Sequence, residues 1–384
     1  MAGLSEGQLQ VLAGSGKDQL EGLFRDHPLW EFEKILGNGS FGIAVLLRDR
    51  GARKFGQYRA KVRKPKRVVL KRPVYPGGGF RDFDNELVGL RKTNGLMHHV
   101  QAIATTESVS QHRKKSREGF RDWIRNLFAP FYNPPTNVFS ILSRYEGPAI
   151  LMEYIENGDL LTFVRKSQER RIVLPNRLLW RFYFCLIRGI CGIIYQQKIP
   201  AKGQLTLEAI PDGGQPGTFI HGDLASRNIM IGESDPEVED HRVTPILKYI
   251  DYGMSGSMKE AGPAVRFNLF QVAETMLWMI SDERPPVEAE GEQITQWKGI
   301  YTFAVNIIPF PSGYDPCPHL DEELRDLIAE TLRVTSASRP TPREIFMRIE
   351  NGMKKTPEDY PPHRQYEESD EQIKARLQSL LHDA

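Results

Sequence analysis

The sequence is poor in cysteine, has almost no net charge and lacks a long apolar run free of charged residues. Its three cysteines form neither a disulfide framework nor a pair with metal-ligand spacing, which favours a reducing compartment. Lys and Arg number 51 and Asp and Glu 49, so bulk charge does not indicate a protein that coats nucleic acid. We therefore expect an intracellular protein, cytoplasmic or nuclear, and do not expect nucleic acid as a partner.

The most apolar stretch covers residues 178–195 and is marginal in length for a membrane span. It carries Arg181 and Arg188, so we interpret it as a buried helix of a large soluble domain and expect no membrane partner. The N-terminus also lacks the basic region and apolar core of a signal peptide. Hydrophobic residues make up 40% of the 384 residues, which is enough for a sizeable core.

The pattern of apolar residues changes along the chain. Short apolar runs between glycine-rich and basic turns predict β-hairpins over residues 30–71, followed by a helix over 80–92. Residues from about 105 to 147 are polar, basic and contain proline, which indicates an insertion. Helical periodicity dominates from residue 159 and predicts helices over residues 159–167, 176–197, 267–280, 321–333 and 342–349. The pattern predicts an α+β fold, with a small antiparallel β part before a larger, mainly helical part.

A glycine-rich segment, GNGSFG at residues 37–42, lies between two strand-like runs. Glycine lets a backbone approach phosphate oxygens without a side-chain clash, so this hairpin is suited to cover a nucleotide. Lys71 follows at the end of an apolar strand, and Glu86 lies fifteen residues later on the predicted helix. A strand lysine can reach phosphate oxygens if a carboxylate holds it, and Glu86 is the candidate partner.

Acidic and amide side chains follow two later apolar runs, in HGDLASRN at residues 221–228 and DYG at residues 251–253. Hard oxygen ligands of this kind suit Mg²⁺ together with phosphate oxygens. A further carboxylate can orient a hydroxyl nucleophile. The sequence therefore predicts a magnesium–nucleotide site.

The ordered motifs GNGSFG, VVLK, Glu86, MEYIENGDL, HGDLASRN and DYG resemble those of the eukaryotic protein kinase family over residues 30–349. The resemblance implies a bilobal protein-kinase-like fold, with an N-lobe over 30–155, a C-lobe over 156–350, an N-terminal lead over 1–29 and a charged tail over 351–384. It also implies ATP and Mg²⁺ as cofactors and in-line transfer of the γ-phosphoryl group to a hydroxyl. We expect that hydroxyl to belong to a Ser or Thr of a protein substrate.

The same resemblance implies roles for individual residues. Asp223 becomes the catalytic carboxylate, Lys71 contacts the α- and β-phosphates while paired with Glu86, and Arg227 stabilises the transferring phosphoryl group. The implied magnesium ligands are Asn228 and Asp251. The implied nucleotide-binding residues, besides Lys71, are Gly37, Gly39, Ser40, Phe41, Gly42, Ala44, Val69, Met152, Glu153, Tyr154, Asp159 and Met230.

Three departures from the family pattern bear on the substrate and on activation. Gly222 stands where the family has an arginine that pairs with a phosphorylated activation loop. The segment from residue 254 to about 267 is short, and no APE motif follows it. The HGD triplet also resembles that of small-molecule phosphotransferases with the same fold. A small-molecule kinase and a pseudokinase scaffold that binds partners without transfer therefore remain alternatives to a protein kinase.

Several further residues have no assigned part in this chemistry. We interpret His98 and His99 as structural, because no ligand spacing around them supports a metal. Cys185 and Cys191 lie in the apolar stretch and are interpreted as core residues. The basic run at residues 59–67 is interpreted as a solvated, lengthened hairpin.

Overall fold

A computed structural model describes residue 18 and residues 20–39, 42–50, 67–73, 80–106, 141–142, 147–197, 205–281 and 294–382. The basic run therefore lies outside the described residues except for Arg67, and so does most of the predicted insertion. Of the glycine loop, Ser40 and Phe41 also lie outside them.

In the described part of the chain, the N-lobe contains a five-stranded antiparallel sheet and helix α1 (Phe80–Thr93). Its strands run in the spatial order β1-β2-β3-β5-β4. They are β1 (Trp30–Gly39), β2 (Gly42–Asp49), β3 (Arg67–Arg72), β4 (Ala102–Thr105) and β5 (Ile150–Glu153). Successive side chains of a strand point to opposite faces, so β2 and β3 divide their residues between two cores. Val45 and Leu70 pack into the N-lobe core, whereas Ala44 and Val69 face the C-lobe.

The C-lobe is mainly helical, as the sequence predicts. Its helices in the described part of the chain are α2 (Leu160–Glu169), α3 (Asn176–Tyr195), α4 (Ala261–Ile280), α5 (Glu322–Thr331), α6 (Pro342–Met353) and α7 (Asp370–His382). Two short antiparallel pairs lie between α3 and α4: β6 (Phe219–Ile220) with β9 (Gly256–Ser257), and β7 (Ile229–Ile231) with β8 (Leu247–Tyr249). A hairpin of β10 (Thr295–Trp297) and β11 (Ile300–Thr302) precedes α5. The predicted α+β bilobal fold is confirmed.

Helix α3 is the central helix of the C-lobe. It is long and apolar enough to cross a membrane, yet 89% of its most apolar 18-residue window is buried inside the protein. It packs against α4 and α6. Its N-terminus is held by Glu368, whose carboxylate accepts hydrogen bonds from the backbone N–H groups of Asn176 and Arg177, both at 2.9 Å. The buried position predicted for this stretch is confirmed.

Helix α4 begins at Ala261, six residues before the predicted start at 267, so that boundary was wrong. Pro263 lies in the first turn, where an α-helix needs no backbone N–H donor, so the proline does not prevent an earlier start. Only residues 254–260 therefore separate DYG from α4. The segment between them is even shorter than the sequence indicates.

The C-terminal segment folds back on the C-lobe. Helix α7 packs against α2 and buries Ile373, Leu377 and Leu380. Arg170, just after α2, donates a hydrogen bond to the backbone oxygen of Ser379 at 3.2 Å. The predicted charged tail over 351–384 thus contains a packed helix.

Candidate active site

A cleft of about 710 Å³ lies between the sheet of the N-lobe and the C-lobe. Most residues predicted to bind the nucleotide or to act on it line this cleft. They are Gly37, Gly42, Ala44, Val69, Lys71, Glu86, Met152, Glu153, Tyr154, Asp159, Arg227, Met230 and Asp251. Gly39 ends β1.

The apolar part of the cleft follows from the register of the sheet. Val69 of β3 pairs with Met152 of β5, and Ala44 of β2 pairs with Lys71. Alternation along each strand places Ala44, Val69 and Met152 on the face that covers the cleft, with Met230 of β7 in the opposite lobe. A flat ring that enters here therefore meets apolar side chains from both lobes.

Lys71 joins two carboxylates deep in the cleft. Its Nζ lies 3.1 Å from Glu86 Oε2 and 2.8 Å from Asp251 Oδ1. Burial opposes its charge, but Glu86 and Asp251 outweigh burial and raise the pKa of Lys71. Burial raises the pKa of Glu86 to about 7 against the opposing effect of Lys71. For Asp251, Lys71 outweighs burial and lowers the pKa.

The loop after β6 carries the acid–amide motif. Residues Ser226–Asn228 form a single 3₁₀ turn, which brings Asn228 back onto Asp223. Asn228 Nδ2 donates to the Asp223 backbone oxygen at 2.8 Å and to Asp223 Oδ2 at 2.9 Å. Arg227 forms an ion pair with Asp223 Oδ1. Two donors therefore fix the orientation of the Asp223 carboxylate.

Backbone contacts align this loop with the DYG segment. The N–H of Ile250 donates to the carbonyl of Asn228 at 3.0 Å, which places Asp251 beside Asn228. His221 Nε2 bonds the carbonyl of Ile250 at 3.1 Å, and the His221 N–H donates to Asn268 Oδ1 of α4 at 3.2 Å. Burial lowers the pKa of His221 to about 4, so its ring is neutral at pH 7 and acts as a positioning group.

Tyr252 couples the DYG segment to helix α1. Its ring packs on Gly89 so closely that a Cβ at residue 89 would lie 2.7 Å from Tyr252 Cδ1. Its hydroxyl is hydrogen bonded to His99 Nδ1 at 2.5 Å. Asn85 of α1 donates from Nδ2 to the carbonyl of Gly253 at 3.2 Å. These contacts hold α1 in the position that brings Glu86 to Lys71.

At Gly222, the loop after β6 passes very close to the segment that follows DYG. Its φ is +85°, a left-handed conformation that side-chain-bearing residues rarely adopt. A Cβ here would lie 2.8 Å from the carbonyl carbon of Met254 and closer still to its oxygen. Ser255 is buried and its Oγ donates to the carbonyl of Asn85 at 3.3 Å. An arginine does not fit at residue 222 in this arrangement.

Some residues of the cleft were missed by the sequence reasoning. Leu381 of α7 lines the cleft together with Thr162 of α2, and only the fold brings the C-terminal helix there.

Two predicted residues of the cleft also make structural contacts. Lys248 pairs with Glu153 at 2.7 Å and ties the end of β5 to β8. Asp159 lines the cleft and also caps α2, because its Oδ1 accepts a hydrogen bond from the Thr162 N–H at 2.8 Å.

The donor set beside Asp223 fits a magnesium ion. Asp251 offers a carboxylate and Asn228 offers an amide oxygen, because Asn228 uses its Nδ2 to hold Asp223. In nucleotide sites, Mg²⁺ is bound by oxygen atoms from one or two side chains, and phosphate oxygens and water complete its coordination.

A two-lobed fold with a lysine held between two carboxylates, and with a further fixed carboxylate paired to Arg227 of the cleft, defines a phosphotransferase of the protein kinase class. Comparison with known proteins agrees. The family model described as protein tyrosine and serine/threonine kinase matches residues 110–369, and the chain belongs to that family. The match begins after β4, so Lys71 and Glu86 are supported by geometry rather than by it.

The chain is also similar to a protein named class II receptor tyrosine kinase from Geodia cydonium. The two are 21% identical over 257 residues, which is 65% of this chain and 36% of the relative. The chain therefore spans little more than a third of that relative's length.

Proposed function

We propose that this protein is an ATP- and magnesium-dependent protein kinase that transfers the γ-phosphoryl group to a side-chain hydroxyl of a protein substrate. The expected acceptor is Ser or Thr. The observation that carries the proposal is the buried array in which Lys71 contacts both Glu86 and Asp251 beside the fixed carboxylate of Asp223. We also propose an intracellular location, because its three cysteines are all buried and none of them forms a disulfide.

Each residue of the array has a distinct part in the proposed reaction. Lys71 binds phosphate oxygens, and Glu86 keeps its ammonium group in place. Asp223 orients the acceptor hydroxyl and accepts its proton, while Arg227 lies beside the transferring group. Asn228 and Asp251 would hold magnesium, which neutralises phosphate charge when bound. Positioning and electrostatic stabilisation supply most of the rate in such transfers.

A tyrosine acceptor is the second candidate. Arg227, four residues after Asp223, has the position that resembles the DLAxRN loop of tyrosine kinases, and it pairs with Asp223. The relative named above carries the name of a receptor tyrosine kinase.

Phosphoamino acid analysis tests the proposal. The full chain is incubated with Mg²⁺ and γ-labelled ATP on a mixed protein and peptide substrate set, and labelled residues are identified after hydrolysis. Labelled serine or threonine supports the first candidate, and labelled tyrosine supports the second. Label that appears only on added small molecules, or tight ATP binding without any transfer, contradicts a protein kinase.

A further inference from the structure

A cluster of four titratable side chains lies in the C-lobe core, outside the cleft. It contains His98, Cys185, Glu208 and His241, and we call it the His–Cys cluster. Their exposed fractions are 0%, 3%, 0% and 1%. The turn after α1 supplies His98, α3 supplies Cys185, the segment before β6 supplies Glu208, and a 3₁₀ turn supplies His241. The fold thus gathers segments far apart in sequence around one point.

The ligand atoms of three of these residues converge. One such atom from each of His98, Cys185 and His241 lies within 4.8 Å of the other two. Cys185 Sγ is 3.8 Å from His241 Nδ1. In tetrahedral zinc sites, bond lengths of about 2.0–2.3 Å place neighbouring ligand atoms about 3.3–3.6 Å apart. A small contraction therefore brings the three atoms to coordination distance.

The histidines of the cluster leave buried nitrogens without hydrogen-bond partners. Among the described residues, His98 Nε2 and His241 Nε2 have no such partner. His98 Nδ1 is occupied by Glu208 Oε2 at 2.6 Å, so Nε2 is its free ligand atom. A buried polar atom without a hydrogen-bond partner is destabilising, so a ligand at His98 Nε2 would remove that penalty.

Glu208 holds His98 from the side away from the proposed ligand atom. Its Oε1 accepts a hydrogen bond from the His98 N–H at 2.8 Å, while Oε2 accepts from the ring. Metal-ligating histidines commonly donate their second ring N–H to such a carboxylate, which fixes the tautomer and the ring orientation. The charges also balance, since one Zn²⁺ is neutralised by the Cys185 thiolate and the Glu208 carboxylate with both imidazoles neutral.

We propose that the His–Cys cluster binds one zinc ion through His98 Nε2, Cys185 Sγ and His241 Nδ1, with water as the fourth ligand. Glu208 orients His98. The imidazole and thiolate donors are those that zinc prefers. The site connects to the strand before DYG, because the carbonyl of His98 accepts a hydrogen bond from the Tyr249 N–H at 2.8 Å, and the adjacent His99 bonds Tyr252. Zinc would join α3 to the strand that leads into DYG.

The first test uses the unmodified full chain, produced without an affinity tag that binds metal and purified without chelator. Elemental analysis is expected to find about one zinc per chain. Unfolding in chelator and refolding with Co²⁺ is expected to give a thiolate-to-cobalt charge-transfer band, and refolding with Zn²⁺ is expected to raise the melting temperature relative to metal-free refolding. None of these three readouts depends on ATP, so they stand apart from the proposed kinase activity.

The second test compares two cysteine variants. Cys185→Ala is expected to lose the zinc and the cobalt band, whereas Cys191→Ala, six residues further along the same helix and equally buried, is expected to keep both. A wild-type chain with no metal and no cobalt band would overturn the proposal and leave a metal-free hydrogen-bonded network. Zinc retained in Cys185→Ala, or copper found in place of zinc, would also overturn it.

Discussion

Replacing Gly222 tests how the segment after DYG is held. The residue has a φ of +85°, and a Cβ would overlap the carbonyl group of Met254. Gly313 provides a matched control, because its φ is +87° and no atom lies within 4 Å of the position where a Cβ would be. The backbone strain of an L-residue is therefore nearly the same at both positions, and the steric overlap differs.

The magnitudes follow from these two contributions. A left-handed conformation costs a side-chain-bearing residue about 1–2 kcal/mol, so Gly313→Ala is expected to lower the free energy of unfolding by that amount. Overpacking against a fixed neighbour adds about 1–3 kcal/mol. Gly222→Ala is therefore expected to lower the free energy of unfolding by about 2–5 kcal/mol in total.

Urea unfolding of the two variants measures these costs, and phosphotransfer assays show whether Met254 has moved. Gly222→Ala is expected to lose phosphotransfer activity even under conditions in which the variant is fully folded. The Met254 backbone must shift, and Asp251 lies only three residues before it. Equal stability losses in Gly222→Ala and Gly313→Ala would refute the reasoning. Full activity in Gly222→Arg would also refute the reasoning, because the arginine of the family pattern would then fit at residue 222.

Three further variants address the lysine array, the C-terminal helix and the start of α3. Because burial raises the pKa of Glu86 to about 7 while its ionised form holds Lys71, kcat/KM is expected to rise with pH through about 7, and Glu86→Gln is expected to flatten that limb. Leu381→Asp is expected to weaken ATP binding by calorimetry about fivefold, since about 1 kcal/mol of apolar contact is lost, whereas Gln378→Asp on the exposed side of α7 should leave it unchanged. Glu368→Gln is expected to lower the free energy of unfolding by about 2–4 kcal/mol in urea, because a buried carboxylate that accepts two backbone N–H groups is lost, and an unchanged midpoint would contradict this.

Motif order in the sequence predicted both the two-lobed fold and the pairing of Lys71 with Glu86. The resemblance also implied that Ala44 and Val69 lie in the cleft, and the period of a strand explains why they share its face. Each of these inferences depends on local spacing or on an ordered set of motifs. Local spacing and motif order can both be read from a single sequence.

Contacts that depend on chain packing were not predictable in this way. The early start of α4 was hidden by Gly262 and Pro263, which weaken a helical pattern without preventing a first turn. Leu381 reaches the cleft only because α7 folds back on α2. His98 follows α1 and Cys185 lies within α3, so the two residues are far apart in the sequence. No metal-ligand spacing was therefore visible before the fold brought them together.

The most direct test of the proposed activity is γ-phosphoryl transfer by the wild-type chain and by Asp223→Asn, measured with ATP binding on the same samples. Asp223 contacts Asn228 and Arg227 but is not among the residues that line the nucleotide cleft. Label is therefore expected on protein with the wild type and to fall by about a hundredfold or more in the variant, as for loss of a general base, with ATP affinity nearly unchanged. Transfer that persists in Asp223→Asn at the wild-type rate would contradict the account.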